Sequence, residues 1–307
     1  LEPEAPVLAV VLGPTAVGKS RVAVDLALRF GGEVIGGDSI QVYRGFDIGT
    51  DKPTEADRRG VPHHLIDIVD PSVQFTAADF VREALAAARA IAGRGRLPIV
   101  AGGTGLYLKA LLDGLFPGPG RDEDVRAALE AEAREKGLAA LFERLRRVDP
   151  EYAAKVRDRD RVRIVRALEV YGTTGRPLSE HFRDTASPVA GRRVVRLGLR
   201  LDRDALVRRI EARVDRMFAR GLVDEVRGLL ARGVPADAPP FRALGYRHVV
   251  RHLEGALSLE EAAALTKTDT RQYAKRQMTW FRKMDGVAWF SPDDGPALEE
   301  HLRNRLQ

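Results

Sequence analysis

Val7-Leu8-Ala9-Val10-Val11-Leu12-Gly13-Pro14-Thr15-Ala16-Val17-Gly18-Lys19-Ser20 is the stretch that decides the fold. Its first six residues form an unbroken apolar run, the pattern of a strand buried on both faces. Its last eight fit G-x-x-x-x-G-K-[ST], a loop whose backbone N–H groups wrap a phosphate chain. Beyond it, Val22, Leu26 and Phe30 share one face of an amphipathic helix. The glycines allow the tight turn, and the helix N-terminus adds a favourable dipole. In that arrangement Lys19 neutralises terminal phosphate charge and the Ser20 hydroxyl is placed for Mg²⁺. The implied ligand is a diphosphate or triphosphate held along Gly13, Pro14, Thr15, Ala16, Val17, Gly18, Lys19 and Ser20.

Working outward, Glu33-Val34-Ile35-Gly36-Gly37-Asp38 reads as a second strand with Asp38 at its carboxyl end. Leu65-Ile66-Asp67-Ile68 reads as a third. Residues 75–92 read as a helix, with Thr76 as N-cap and Phe80, Leu85 and Ala88 on one side. Leu97-Pro98-Ile99-Val100-Ala101 is a further strand, followed by Gly102-Gly103-Thr104-Gly105 and a helix over 106–112. This alternation predicts an α/β fold, a P-loop NTPase-like parallel sheet flanked by helices. Ligands of such sheets sit beyond the carboxyl ends of the strands, where Ser20, Asp38 and Thr104 all fall. Phe116-Pro117-Gly118-Pro119-Gly120 then breaks the pattern. Residues 121–187 read as almost entirely helical, and Val194-Val195-Arg196-Leu197-Gly198-Leu199 restores strand character. The expected organisation is a core of residues 1–120 and 188–307 with a helical insertion domain over 121–187.

The chain has 307 residues, 44% of them apolar and 31% charged. No apolar run approaches the roughly 20 residues that span a bilayer. Leu1-Glu2-Pro3-Glu4 lacks the basic and apolar regions of a secretory signal, so a cytoplasmic location without membrane contact is expected. The absence of cysteine excludes disulfides and cysteine-ligated metal. The six histidines show no ligand spacing, and His63 and His64 point to opposite faces if they enter a strand.

A net charge of +6 suggests a polyanionic partner. Arg144, Arg146, Arg147, Lys155, Arg157, Arg159, Arg161, Arg163 and Arg166 crowd one helical stretch. Near the C-terminus Arg271, Lys275, Arg276, Arg282 and Lys283 alternate with Tyr273, Trp280 and Phe281. Such interleaving suits a phosphate backbone and unstacked bases. Solvated helix faces with acidic partners would look the same, so charge alone does not name RNA. At the strand ends, Asp38 could coordinate metal, accept a proton or cap a turn through Ser39. Thr104 could donate to a ligand or serve a turn, and Asp67 could hold Mg²⁺ or be an ordinary strand-end acid.

Seven motifs taken in order carry a resemblance. They are the loop at 13–20; Asp38-Ser39-Ile40-Gln41-Val42-Tyr43-Arg44-Gly45-Phe46-Asp47-Ile48-Gly49-Thr50-Asp51-Lys52-Pro53; His63-His64-Leu65-Ile66-Asp67; Ala101-Gly102-Gly103-Thr104-Gly105-Leu106-Tyr107; Arg166-Ala167-Leu168-Glu169-Val170; Arg242-Ala243-Leu244-Gly245-Tyr246-Arg247; and Thr270-Arg271-Gln272-Tyr273-Ala274-Lys275-Arg276-Gln277. Over about residues 7–292 the chain resembles the tRNA dimethylallyltransferases. The resemblance implies transfer of a dimethylallyl group from its diphosphate to N6 of the adenosine 3′ to the anticodon, with Mg²⁺, in tRNAs reading codons that begin with U. It implies Asp38 as general base, and Lys19, Arg242 and Mg²⁺ on Ser20 as stabilisers of the departing diphosphate. Thr104 matches a position that contacts the acceptor adenosine. Asp38, Ser39, Ile40 and Gln41 match segments that meet tRNA. So do Arg126; Val162, Arg163, Ile164, Val165 and Arg166; Arg242, Ala243, Leu244, Gly245, Tyr246 and Arg247; and Asp269, Thr270, Arg271, Gln272, Tyr273, Ala274, Lys275 and Arg276. The helical insertion is then expected to clamp the anticodon stem-loop, and a monomer is expected.

Gly36-Gly37 departs from the bulkier pair of the family and is expected to loosen that strand end. No cysteine-bearing zinc extension is present, which fits the bacterial form, and the missing initiator Met suggests a processed start. A small-molecule kinase, a prenyltransferase acting on free adenine nucleotide and a non-catalytic RNA-binding NTPase are the alternatives.

Overall fold

Val7–Leu12, the strand β1, accepts a partner on each side, and Leu8 to Leu12 are buried. The computed structural model describes residues 7–306. The reading of Leu1-Glu2-Pro3-Glu4 therefore lies outside the described residues. From β1 the chain runs through α1 (Lys19–Phe30), β2 (Gly32–Gly37), a short α2 (Glu55–Arg58), β3 (His63–His64), α3 (Ala77–Gly93), β4 (Leu97–Gly102) and α4 (Gly105–Asp113). Five helices follow: α5 (Glu123–Lys136), α6 (Leu138–Val148), α7 (Pro150–Ala153), α8 (Arg161–Thr174) and α9 (Leu178–Arg183). The chain then forms β5 (Arg193–Leu199), α10 (Arg203–Ala219), α11 (Leu222–Ala231), a 3₁₀ turn (Pro239–Arg242), α12 (Tyr246–Leu253), α13 (Leu259–Phe281), β6 (Val287–Phe290) and α14 (Gly295–Leu306).

Among the described residues six strands pair in the order β3-β2-β4-β1-β5-β6, all parallel. Ala9 and Val11 pack with Val22, Leu26 and Ala27 of α1 and with Leu298 and Leu302 of α14. Alternation turns Val10 the other way. The buried stripe of α3, Phe80, Ala84, Ala88 and Ile91, lies against β2 and β4 outside that cluster and so covers the opposite face. Thr76 caps α3 in a capping box with Asp79. A further core gathers Tyr43, Phe46, Leu222, Phe241 and Tyr246 around α11 and α12.

The chain divides into two compact units, one of them Leu112–Ala190. That unit has its own core of Leu129, Leu141, Leu145, Ile164, Val165 and Leu168. It is wider than 121–187 because the Pro/Gly stretch belongs to it. Phe116 packs edge-on to Phe182 at 5.5 Å, and Arg166 donates to the carbonyls of Pro119 and Gly120 at 2.7 and 3.0 Å.

Two expectations about strands need correction. The third strand is His63–His64, not 65–68, because Leu65 and Asp67 take left-handed conformations (φ 62° and 57°) that end the ladder. The segment is held instead by bonds from Asp67 N to Gln41 O (3.2 Å) and Ile68 N to Val42 O (2.9 Å). The edge strand β6 was not anticipated. The doubled glycine does not loosen β2, which pairs with β4 along its whole length. A Cβ on Gly102 would lie 2.3 Å from the Gly37 carbonyl oxygen, so the two strand ends approach as closely as bare backbone permits. No described helix is long and apolar enough to cross a membrane.

Candidate active site

The register sets Leu12 beside Gly102, and Gly102 beside Gly37. The loop at 13–20, the Asp38 turn and the Thr104 turn therefore leave the sheet side by side. Gly18 starts α1 at φ 103° with no side-chain cap, so the first-turn N–H groups are available to an anion. Val17 is fully buried beneath the loop, and the Ser20 hydroxyl is on the exposed side. Lys19 donates from Nζ to the Pro14 carbonyl at 2.8 Å. Burial lowers its pKa to about 7, the Arg213 guanidinium adds to the effect, and the Asp38 charge opposes it.

A cavity of about 610 Å³ opens over this loop. Helix α10 forms one wall with Ala205, Arg208, Arg209, Ala212, Arg213 and Arg216, spaced to share a single face. Arg213 donates to the Thr15 hydroxyl (2.8 Å) and the Thr50 carbonyl (3.0 Å), and pairs with Asp51 at 3.2 Å. Arg209 donates to the Val17 carbonyl at 3.3 Å and to Asp293 at 2.9 Å. Lys19, Arg21 and the four α10 arginines face two carboxylates, Asp38 and Asp51, across this space. The balance suits a multiply charged anion.

Asp38 lies where this cavity meets a second, of about 270 Å³, lined by Ser39, Ile40, Arg242, Ala243, Leu244 and Thr270 among others. Thr15, Asp38, Arg213 and Tyr273 line both. One carboxylate oxygen of Asp38, Oδ1, accepts from Ile40 N (2.8 Å) and Gln41 N (3.3 Å). The turn-capping reading is thus realised through that oxygen, and Oδ2 takes no part in it. The Thr104 hydroxyl accepts from Ser39 N at 3.0 Å and lies 3.3 Å from Ser39 Oγ, so the two turns are tied together. Burial, then the Asp38 charge, pushes the pKa of the Tyr273 phenol up to about 12. Among the described residues Arg242 donates only to the Asp237 carbonyl, at 3.4 Å.

Other predicted contacts have different surroundings. Ile164 and Val165 are core residues of the helical unit. Tyr246 is fully buried against Phe46 and donates to Glu225 at 2.6 Å, and Ala274 is buried as well. These four side chains are packing elements and offer no surface to a polyanion. Arg126 and Arg166 flank the fully buried Glu169 at 2.9 and 3.1 Å, which also accepts from Asp122 N at 2.7 Å. Burial opposes ionisation of Glu169, but these partners hold its pKa below the usual range. Arg163 and Val162 are exposed, whereas Arg144, Arg146 and Lys155 pair with Glu132, Glu143 and Glu151. Asp269 is bonded by Arg247 and by His248 (2.7 Å), Arg271 pairs with Glu211 at 2.6 Å, and Arg276 lies over the Tyr273 ring. Asp67 is not at the loop; it pairs with the buried Lys52 at 2.5 Å.

Sequence reasoning missed two residues. Arg213 is signalled only by its i, i+4 spacing from Arg209 beside two alanines, which many exposed helices share. Gln277, whose carbonyl accepts from Thr15 N at 2.8 Å, sits in a quoted motif but carries no charge or spacing cue. Among the described residues no group of three or more His, Cys, Asp or Glu could hold a metal. A cation here would need Ser20, phosphate oxygens and water, the sparse protein ligation that Mg²⁺ accepts at phosphate sites.

Residues 41–284 match the family model described as IPP transferase, and residues 6–73 match one described as isopentenyl transferase. The chain is 53% identical to a tRNA dimethylallyltransferase of Geobacter metallireducens, over 92% of this chain and 91% of that protein. It is also 53% identical to one from Thermomicrobium roseum, over 98% and 91%. A full-length tRNA isopentenylpyrophosphate transferase from Bacillus halodurans superposes with a TM-score of 0.73 at 43% identity, covering 99% of this chain and 97% of that one. A eukaryotic dimethylallyltransferase acting on tRNA superposes with a TM-score of 0.82 at 30% identity, covering 98% and 78%.

Proposed function

Because this chain belongs to the IPP transferase family of tRNA dimethylallyltransferases, we propose that it transfers a dimethylallyl group from dimethylallyl diphosphate to N6 of the adenosine 3′ to the anticodon. The observation that carries the reading is the position of Asp38, which lines both the cationic cavity over the phosphate loop and the cavity beside it. A donor diphosphate on one side and an acceptor base on the other would meet at this carboxylate.

The diphosphate would lie along residues 13–20, with the N–H groups of the first turn of α1 and the charges of Lys19 and Arg213 as its ligands. As the N6–C1 bond forms and the C1–O bond breaks, the bonding pair leaves with the diphosphate. Lys19, Arg213 and, from the neighbouring cavity, Arg242 take up that charge without having to reorganise. Asp38 accepts the N6 proton through the oxygen not used by its turn, while Oδ1 stays bonded to Ile40 and Gln41. The Ser20 hydroxyl would hold Mg²⁺, whose chemistry there would be Lewis-acid stabilisation of the leaving group. Thr104, fixed against Ser39, would position the base.

The acceptor adenosine must leave its stack to enter, at a cost of a few kcal/mol offset by stacking and phosphate contacts. Exposed cations on both units supply phosphate contacts, with Arg163 in the helical unit and Lys275 and Arg276 on α13 as examples. The test is labelled dimethylallyl diphosphate with Mg²⁺ and unmodified tRNA, AMP or no acceptor in parallel. Label in tRNA alone supports the reading. Label in AMP points to a free-nucleotide enzyme, and ATP hydrolysis without label transfer points to a kinase.

A further inference from the structure

Gln277 is buried midway along α13, 4% exposed, and both ends of its amide are used. Oε1 accepts from the Thr15 N–H at 2.8 Å, and Nε2 donates to the Gly103 carbonyl at 2.7 Å. One side chain thereby ties the phosphate loop to the turn that carries Thr104. There is no slack at this point: a Cβ on Gly103 would lie 2.5 Å from Gln277 Nε2 and 3.3 Å from Lys19 Nζ.

In loops of this pattern the main-chain N–H groups are ligands of the phosphate chain, and the lysine reaches its distal end. Here the N–H of the third loop residue is turned onto a side-chain carbonyl. The hydroxyl of the same residue accepts from Arg213, and Lys19 is drawn onto Pro14. The protein's own groups therefore occupy the loop around Pro14 and Thr15, while the first turn of α1 keeps its donors uncapped.

We propose that Gln277 sizes the phosphate loop for two phosphates rather than three and fixes its separation from the Thr104 turn. The inference rests on the diphosphate reading above. Gln277 acts through Thr15 and Gly103, so it is a positioning residue that sets anion specificity. It gives a physical reason for a loop of nucleotide-binding pattern to hold a prenyl diphosphate in preference to a nucleoside triphosphate.

Pyrophosphate and tripolyphosphate, each with Mg²⁺, are titrated by calorimetry into wild type, Gln277→Met and Gln277→Glu, and label transfer to tRNA is measured on the same preparations. Wild type should prefer pyrophosphate. Gln277→Met fills the space but makes neither bond, so the Thr15 N–H is released and the preference should fall about tenfold, the scale of one hydrogen bond. KM for dimethylallyl diphosphate should rise while Kd for tRNA stays unchanged. Gln277→Glu keeps the acceptor for Thr15 N and should retain the preference at weaker affinity for both anions. Equal affinity of wild type for the two anions overturns the proposal, as does a Gln277→Met protein with wild-type preference and KM. Equal weakening of both anions by Gln277→Met also overturns it. If Gln277→Met does not fold, loss of the preference in Gln277→Glu overturns it. Failure of wild type to label tRNA would count against the proposed function instead, because the anion preference is measured without tRNA.

Discussion

A guanidinium nitrogen of Arg213 donates to the hydroxyl of Thr15 at 2.8 Å, joining residues 198 positions apart in the chain. The same side chain holds the Thr50 carbonyl and pairs with Asp51, so its fork is fixed before any ligand arrives. Arg213→Gln should therefore lower kcat/KM for dimethylallyl diphosphate by about a hundredfold, the usual effect of removing one preorganised donor from a developing charge. Steady-state kinetics at saturating tRNA provides the measurement. An unchanged value would place the diphosphate elsewhere in the cavity.

Lys19 supplies a pH dependence. Its pKa in the fold is about 7 against an ordinary value of 10.5. Between these values the unfolded chain holds a proton that the fold does not, so stability from this group rises with pH across that window. A bound diphosphate pulls the pKa back up, and binding at pH 8 should take up close to a full proton. Calorimetry in buffers of differing ionisation enthalpy measures the uptake. Lys19→Arg, which stays charged, should abolish it.

Asp38 spends Oδ1 on its own turn, and two substitutions separate that structural role from the proposed one as base. Asp38→Asn can keep the bonds from Ile40 N and Gln41 N and loses only the base, whereas Asp38→Ala loses both. Asn should slow single-turnover transfer by about 10²–10⁴-fold while pyrophosphate binding stays near wild type. If Asn and Ala lost anion binding equally, Asp38 would be holding the loop and not the proton.

In the helical unit, Arg163 and Arg126 should behave differently. Arg163 is exposed and pairs only loosely with Asp160 at 3.4 Å. Arg163→Gln should weaken tRNA binding and flatten the slope of log K against log salt by about 0.7–0.9 for each phosphate no longer neutralised. Arg126→Ala strips a partner from the buried Glu169 and should cost about 3 kcal/mol of stability, read in denaturant melts. The reverse pattern would exchange their roles.

Much of the sheet was legible because its signals are local. Apolar runs of strand length, a glycine-bracketed lysine and Thr76 with Asp79 three residues on can each be read within a short window. The same locality explains the misses. Leu65-Ile66-Asp67-Ile68 has strand composition, but its left-handed residues are set by bonds to Gln41 and Val42 from another loop. The strand Val287–Phe290 is short and half-buried, with no alternation to reveal it. At the site, Asp38 and Thr104 were visible at strand ends. Arg213 and Gln277 reach Thr15 from helices nearly two hundred or more residues away, and no spacing rule connects them. Tyr246 and Val165 stand within segments expected to meet tRNA, yet their side chains serve the core, because a segment's resemblance does not record the direction of each residue.

The strand order has a consequence for biosynthesis. β1 sits between β4 and β5, and β5 is translated only after the whole helical unit. On the ribosome, the first hundred or so residues can offer strands β1 to β4 and the glycine-rich loop. They lack the arginine wall of α10 and the amide of Gln277. The loop of residues 13–20 is thus translated before the helices whose side chains bond to it, and its ties to Arg213 and Gln277 are complete only once α13 has left the exit tunnel.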